Sequence, residues 1–187
     1  MNQATYLNNQ FIIAMPGLAD PNFFHTVTYL CQHNQEGALG IIINRSADMK
    51  LGDIFTQMKI HSTSLCAAET PVFAGGPVQQ ERGFVLHTGG GGWDASTAVS
   101  ESISLTTSRD VIEAIAVGKG PEQYLVALGY AGWGEGQLEQ EMLANAWLNT
   151  QCSQQVLFDT PINVRWQAAA KQIGIDINRL TIQAGHS

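Results

Sequence analysis

The chain has 187 residues, enough for one domain with a substantial hydrophobic core. Apolar residues make up 44% of it and charged residues only 13%, which excludes an intrinsically disordered chain. The formal net charge is −7, and the nine lysines and arginines are spread along the chain without a run. Because a nucleic-acid backbone is bound by clustered positive charge, this pattern argues against direct nucleic-acid binding.

The N-terminal residues and the cysteines predict the compartment. No positive side chain precedes the apolar stretch FIIAM, and apolar runs reach only roughly five residues, so we expect neither a secretory signal nor a membrane span. Cys31, Cys66 and Cys152 are widely spaced and form no C-x-x-C pair, which is typical of reduced cysteines that serve in packing. We therefore predict a cytoplasmic protein that does not bind a membrane.

The first half of the chain predicts strands joined by turns. β-Branched and aromatic residues favour strands at residues 11–15, 27–32, 38–44, 71–78, 82–88 and 98–107. Five polar residues ending in glycine separate the second strand from the third, which predicts an antiparallel hairpin. Apolar residues at helical spacing predict one helix at 50–60, and the 98–107 strand is expected at a sheet edge.

The second half of the chain predicts more helix than strand. Capping residues and apolar periodicity predict helices within 106–121, 137–150 and 162–174, and short apolar runs predict strands at 122–130 and 156–158. The last dozen residues show no regular pattern. No linker or repeat divides the chain, so residues 1–187 are predicted to form a single α+β domain in which helices cover a mixed or antiparallel sheet.

Four glycines lie between Gly129 and Gly136, where a phosphate-binding loop is one interpretation. A Walker loop needs Lys and Ser or Thr after its last glycine, and the G-x-G-x-x-G order is also absent. The glutamates that surround the following helix start would repel a phosphate. We therefore interpret the segment as a tight turn between strand and helix, in which Gly132 and Gly134 are expected to have positive φ.

Two further glycine stretches are interpreted in the same way. Gly75 and Gly76 precede a proline and predict a turn, with anion binding by their amides as the alternative. Together with Tyr130 and Trp133 they form a candidate packing or surface motif. The four glycines at 89–92 predict a mobile surface loop.

Polar residues at predicted strand ends are the candidate functional site. They are His33, Asn34, Asn44, Arg45, His87, Thr106 and Thr107. If these strand ends meet, the side chains form one polar pocket. Each residue is also a common turn former or cap, and that alternative stays open.

Other chemical patterns are weaker. Cys31 and His33 share a face if the strand alternates regularly, and a Cys–His pair can activate a thiolate. Ser108 opens a helix without a Gly-x-Ser-x-Gly pattern, so we interpret it as a helix cap. No histidines and cysteines have metal-ligand spacing, and no cofactor motif is present, so we expect neither a metal nor a cofactor.

Six stretches, in this order and spacing, resemble the YqgE/AlgH family of bacterial proteins from about residue 7 to residue 186. They are FIIAMPGLADPNF, TVTYLCQHNQEGALGIIINR, FAGGPVQQERGFVLH, LTTSRDVIEAIAVGKGP, ALGYAGWGEGQLEQEMLANAWL and the final RW…GID. The resemblance implies a small barrel-like or bifurcated sheet surrounded by helices. It also implies an intracellular protein without an established biochemical activity, in a family associated with transcriptional control of alginate synthesis.

One position departs from the family pattern. His25 stands where the family often has Arg, so a positive charge at this position would depend on pH.

These observations favour a cytosolic regulatory or interaction protein. We expect it to bind a small anionic ligand or a protein partner and to be linked only indirectly to transcriptional control. The alternative is an enzyme of unrecognised, hydrolase-like type that uses strand-end His, Thr and Ser side chains, such as His33, His87 and Thr107.

Ser108→Ala is expected to lower the free energy of unfolding by about 0.5–2 kcal/mol, because an N-cap hydroxyl is lost. Denaturant unfolding of both proteins measures the difference. Loss of ligand binding at an unchanged melting temperature would contradict the capping role.

Overall fold

A computed structural model describes residues 5–184 of the chain. Its strands β1 to β10 span Gln10–Ala14, Val27–Asn34, Gly37–Ile42, Ser46–Lys50, Pro71–Ala74, Val78–His87, Ser96–Ala98, Ser104–Thr106, Tyr124–Trp133 and Trp147–Gln151. Its helices α1 to α6 span Leu51–Gln57, Leu65–Ala68, Arg109–Ala116, Gln137–Leu143, Arg165–Lys171 and Ile177–Ala184. A π-helical turn at Gln155–Asp159 and a 3-10 turn at Ile162–Val164 precede α5.

The strands form one curled, half-barrel sheet in the order β10-β1-β2-β3-β9-β6-β8-β7. Strand β5 also pairs with β9, and β4 pairs with β5. The β5–β9 pair is parallel, and the other pairs of the described strands are antiparallel. The predicted α+β class, mixed sheet and β2–β3 hairpin are therefore confirmed.

The sheet branches at β9. On the edge opposite β6, the last residues of β9 pair with β3, whereas Ala127 and Leu128 pair with β5. Gly75, just after β5, joins the two branches. Its amide donates to the Leu128 carbonyl at 2.8 Å, and its carbonyl accepts from the Ile42 amide at 2.8 Å.

Glycine is required where the two chain segments cross at this branch. Gly129 has φ of +79°, and a Cβ built there would lie 2.4 Å from the Gly76 carbonyl oxygen. A Cβ on Gly76 would lie 2.0 Å from the Tyr130 carbonyl carbon. Real Cβ atoms do not approach backbone this closely, so these glycines let two backbones touch.

The alternating side chains of the strands bury three apolar clusters. The first packs one face of the sheet against the π-helical turn, α5 and α6, and includes Tyr29, Leu86 and Trp166. The second packs the opposite face of β5, β6 and β9 against α1, α2 and α3. The third packs α4 against β1, β2 and the end of β9. Helices therefore cover both faces of the sheet.

Two predicted elements of the middle and late chain were wrong in type. Residues 98–107 do not form one strand. Ala98 ends β7, the Val99 amide donates to the Ile103 carbonyl at 2.9 Å where the chain turns back, and Ser104–Thr106 return as β8, which pairs with β7. The helix predicted at 137–150 ends at Leu143. Asn145 then has φ of +60°, and the chain continues as β10, which pairs with β1.

Two predictions near the C-terminus were also wrong. The strand predicted at 156–158 is part of the π-helical turn, since three apolar residues fit a buried helical turn as well as a strand. Part of the stretch predicted to be irregular forms α6, and in the first turn of this helix the Asn178 amide donates to the Asp176 carboxylate at 3.1 Å. Residues 185–187 of that stretch lie outside the described residues.

The expected positive φ at Gly132 and Gly134 was wrong, because the glycines of this cluster with positive φ are Gly129 and Gly136. Gly132 instead lies inside β9, where it pairs with Leu39.

Gly129→Ala is expected to lower the free energy of unfolding by about 2–4 kcal/mol, since it adds a strained φ and a backbone overlap. Gly134→Ala is the matched control, because a Cβ there would meet only Gln137 Oε1 at 3.8 Å. Denaturant unfolding compares the two. Equal stabilities would contradict the proposed crossing.

Candidate functional site

The structure does not gather the seven predicted polar residues in one pocket. His33 and Asn34 lie at the end of β2, whereas Asn44 and Arg45 follow β3 at the other end of the same hairpin. Six strand residues separate these ends, which is about 20 Å. Thr106 and Thr107 line one cavity, Asn44 a second and Asn34 a third.

His33 ties the N-terminal segment and α4 to the hairpin. Its side chain is buried, Nδ1 accepts the Leu7 amide at 2.9 Å, and Nε2 contacts the Glu139 carboxylate. Because Nδ1 accepts a hydrogen bond from an amide, Nε2 carries the proton and donates to Glu139. This arrangement fastens three segments together and leaves the ring little room to act as a base.

Asn44 and Arg45 hold the loop between β1 and β2. The Asn44 amide accepts from the Val27 N–H and donates to the His25 carbonyl, both at 2.9 Å. The Arg45 guanidinium donates to the carbonyls of Asn22 and Phe24 at 2.7 and 2.9 Å. These side chains satisfy backbone groups that the sheet leaves unpaired.

His87 and Thr106 do meet, on neighbouring strands β6 and β8. His87 Nε2 lies 2.6 Å from Thr106 Oγ1, which lies 2.9 Å from Ser96 Oγ. His87 Nδ1 lies 2.9 Å from the Thr88 carbonyl oxygen, which can only accept, so Nδ1 donates this hydrogen bond. A base next to a hydroxyl resembles an activated nucleophile. However, His87 and Thr106 are both 0% exposed.

Thr107 lines the cavity of about 570 Å³ that lies between α1 and α3, which we call the α1–α3 cavity. Its floor consists of Val85, Val126 and Leu128 from β6 and β9. Met49, Ile54, Met58 and Ile112 form apolar walls, and Gln57, Gln80, Glu81, Arg82, Gly83, Thr106, Thr107, Ser108 and Arg109 complete the lining. Of the predicted residues, only the two threonines belong to it.

Ser108 occupies the N-cap position of α3, as predicted, but its hydroxyl makes no capping bond to the helix. It donates to Asp110 Oδ1 at 2.6 Å and accepts from the Ala95 amide at 3.0 Å. The Asp110 carboxylate also accepts the Val111 and Asp94 amides. These bonds lower the pKa of Asp110 and outweigh its desolvation, which acts in the opposite direction. Ser108 therefore joins α3 to the loop before β7.

The predicted Cys31–His33 pair does not form. A β-bulge lies between Leu30 and Gln32, so regular alternation is lost at Cys31. Cys31 packs towards α5 with the first cluster, whereas His33 contacts Glu139 of α4 on the other face. Burial raises the pKa of the Cys31 thiol, which keeps it protonated.

Tyr130 and Trp133 of the candidate packing motif lie beside the crossing glycines. Tyr130 meets Phe84 edge to face at 5.6 Å between ring centres. Trp133 is buried, and its indole N–H donates to Glu141 at 3.3 Å, as does that of Trp147 at 3.1 Å. Tyr130 and Trp133 both also border a cavity of about 410 Å³.

Sequence reasoning missed a second group of residues, around α5. Arg165 is buried and donates to the carbonyls of Ile43 and Thr160 at 2.8 and 2.7 Å, and its burial lowers its pKa to about 10. Burial also lowers the pKa of His25, so this ring is neutral at neutral pH and does not supply the positive charge of an Arg. Two sequence signals fell here, the departure from the family pattern at His25 and the Arg165-Trp166 pair of the last matching stretch, and neither assigned a site.

Among residues 5–184, no three His, Cys, Asp or Glu side chains are grouped so that they could hold a metal ion. No helix in this part of the chain combines the length and the apolar character that crossing a membrane requires.

The fold and its polar contacts define an α+β protein in which most of the predicted site residues fasten a branched sheet together. The chain belongs to the AlgH-like family, whose model matches residues 11–178, and this confirms the resemblance found in the sequence. A UPF0301 protein of Thioalkalivibrio sulfidiphilus is 54% identical over 100% of both chains. One of Nitrosococcus oceani is 51% identical, again over 100% of both chains.

Two solved structures have the same fold. The solution structure of AlgH from Pseudomonas aeruginosa covers 100% of both chains with a TM-score of 0.80 and 45% identity. The crystal structure of protein DIP2367 from Corynebacterium diphtheriae has a TM-score of 0.74 at 16% identity and covers 97% of this chain and 94% of its own. The latter shows that the fold persists when most side chains change.

Thr106→Val is expected to lower the free energy of unfolding by about 1–3 kcal/mol, because His87 and Ser96 lose a buried partner. Thr107→Val, on the neighbouring cavity wall, is the control and should change stability by less than about 0.5 kcal/mol. Thermal unfolding compares the two. A Thr106→Val protein as stable as the control would show that the buried hydroxyl is not structural.

Proposed function

We propose that this protein is a regulatory or interaction protein that acts by binding, and that its ligand occupies the α1–α3 cavity. The ligand is a small anion with an apolar body. The observation that carries the proposal is the combination of an apolar floor and walls with two arginines at the rim of one cavity.

The size and lining of the cavity support a small ligand. A volume of about 570 Å³ is typical of small-molecule sites, which combine apolar walls with a few polar groups. Met49 and Met58 are flexible side chains that adapt to an apolar ligand. By contrast, the large apolar side chains exposed on the described surface, such as Leu65 and Leu143, lie on separate elements. A protein interface would favour a contiguous patch.

The charged side chains that line the cavity favour an anionic ligand. Arg82 and Arg109 line the cavity and are exposed, and Glu81 is the acidic residue of its lining. The Arg82 guanidinium also lies over the Phe84 ring, 5.3 Å from the ring centre. Arg109 lies 3.4 Å from Glu113, and both side chains are about half exposed, so water screens this pair. In a chain of net charge −7, two arginines beside one apolar cavity mark a local site for negative charge.

The wider role follows from the same properties. We propose that the protein works in the cytoplasm and that any effect on transcription is indirect, through a protein partner that senses whether the cavity is occupied. The nine dispersed lysines and arginines do not favour direct contact with DNA. A strong, salt-sensitive shift of duplex DNA by the protein would contradict this part of the proposal.

The hydrolase-like alternative has less support. The His87–Thr106 pair has suitable chemistry, but both side chains are fully buried and bonded to Ser96 and Thr88. Although Thr106 lines the α1–α3 cavity, its hydroxyl is engaged by His87 and Ser96.

Octanoate below its micellar concentration is a suitable probe, because it combines an apolar chain with a carboxylate. Calorimetry is expected to show saturable binding, with octanol weaker by about tenfold because it lacks the charge. Arg109→Gln should raise the Kd for octanoate by about tenfold and leave the Kd for octanol unchanged.

The matched control is Arg179→Gln, since Arg179 is an exposed arginine that pairs with Asp176 at 3.6 Å on a different element. An equal loss of octanoate affinity in the two variants would indicate that the net charge of the protein, and not Arg109 itself, affects binding. No saturable binding, or equal affinity for octanoate and octanol, would overturn the proposed site.

A further inference from the structure

Two buried polar atoms lie unpaired beside one cavity on the other side of the sheet. They are His25 Nε2 and Gln167 Oε1, which have no hydrogen-bond partner among residues 5–184. Both residues line a cavity of about 430 Å³ together with Asn44, Ile162, Asn163 and Trp166. Burying a polar atom without a partner is destabilising, so two such atoms on residues that line the same cavity indicate that something else bonds to them.

The backbone conformation and the neighbouring side chains of His25 hold its ring in one position. Its backbone has φ of +56°, a left-handed conformation that is unfavourable for a residue with a side chain. The Asn44 amide holds its carbonyl, and the Phe24 and Trp166 rings sandwich its imidazole at 3.8 and 4.0 Å between ring centres. The strained backbone, the hydrogen bond from Asn44 and the two stacked rings therefore fix the position of the His25 ring.

The side of the cavity that α5 forms is also held in place. The Trp166 indole N–H donates to the Ala14 carbonyl at 2.9 Å, and the neighbouring Arg165 is anchored to the end of β3. Gln167 follows on the same helix, α5, so its side-chain amide starts from a fixed backbone. A rigid wall of this kind lowers the entropic cost of ligand binding.

The lining selects an uncharged ligand. Apart from the histidine, which burial keeps neutral at neutral pH, the cavity is lined by amide and apolar side chains, and Asn178 of α6 adds a further amide. An ion would lose its hydration here without gaining a counter-charge. Gln167 Oε1 requires a donor, and neutral imidazole nitrogen accepts or donates according to its tautomer.

We propose that this cavity, which we call the His25 cavity, binds a small uncharged amide-like ligand. Such a ligand is a carboxamide or the edge of a nucleobase, which places a donor next to an acceptor. The site is separate from the α1–α3 cavity, with which it shares no lining residue, and it does not depend on the proposed function.

The test uses nicotinamide, uracil and adenine as probes and nicotinate as the charged counterpart. Nuclear magnetic resonance follows the His25 ring and the Gln167 side-chain amide of the full chain. At least one uncharged probe is expected to shift both signals saturably, while nicotinate at the same concentration does not. Gln167→Met keeps the length of the side chain, removes the amide and should raise the Kd about tenfold.

Gln172→Met is the matched control, because Gln172 is exposed just after α5, and its Kd should equal that of the unmodified chain. Failure of all three probes to bind would overturn the proposal and would leave ordered water as the partner of the two atoms. Equal binding of nicotinate and nicotinamide, or an unchanged Kd in Gln167→Met, would also overturn it. If Gln167→Met does not fold, the shifts in the unmodified chain decide the question.

Discussion

Where β5 ends, the amide of Gly75 donates to the Leu128 carbonyl, and its own carbonyl accepts from the Ile42 amide. This one residue therefore continues the hydrogen-bonding edge of β9 from β5 to β3. The contact needs two backbones closer than any side chain allows, and Gly76 and Gly129 make the approach possible. The two branches, the helices that cover them and both cavities take their positions from this crossing.

The branching of the sheet accounts for the structural role of the polar side chains at the strand ends. A sheet that divides leaves backbone groups unpaired at its ends, and buried groups of this kind must find partners. Asn44, Arg45 and Arg165 supply those partners around the end of β3, and His33 does so at the opposite end of the hairpin. Among the buried side-chain atoms that the structure describes, His25 Nε2 and Gln167 Oε1 have no partner, and neither does Thr28 Oγ1.

Local sequence patterns predicted the parts of the structure that depend on local physics. The β2–β3 hairpin follows from turn chemistry, since polar residues and a glycine reverse the chain there. Predictions failed where pairing with a strand distant in sequence determined the local conformation. Residues 147–151 continue a helical pattern but become β10 because β1 offers an unpaired edge, and a bulge at Cys31 turns His33 to the opposite face. Regular alternation contains no signal for such a bulge.

The sequence alone determined the class of the fold, the absence of a run of positive charge and the membership of the AlgH-like family, since these depend on composition, periodicity and the order of motifs. Tertiary structure decided which residues share a cavity. His87 meets Thr106 only because β6 and β8 pair, and His25 and Gln167, which are far apart in the sequence, line one cavity. Contacts between distant residues depend on how strands pair and cross, which no local pattern records.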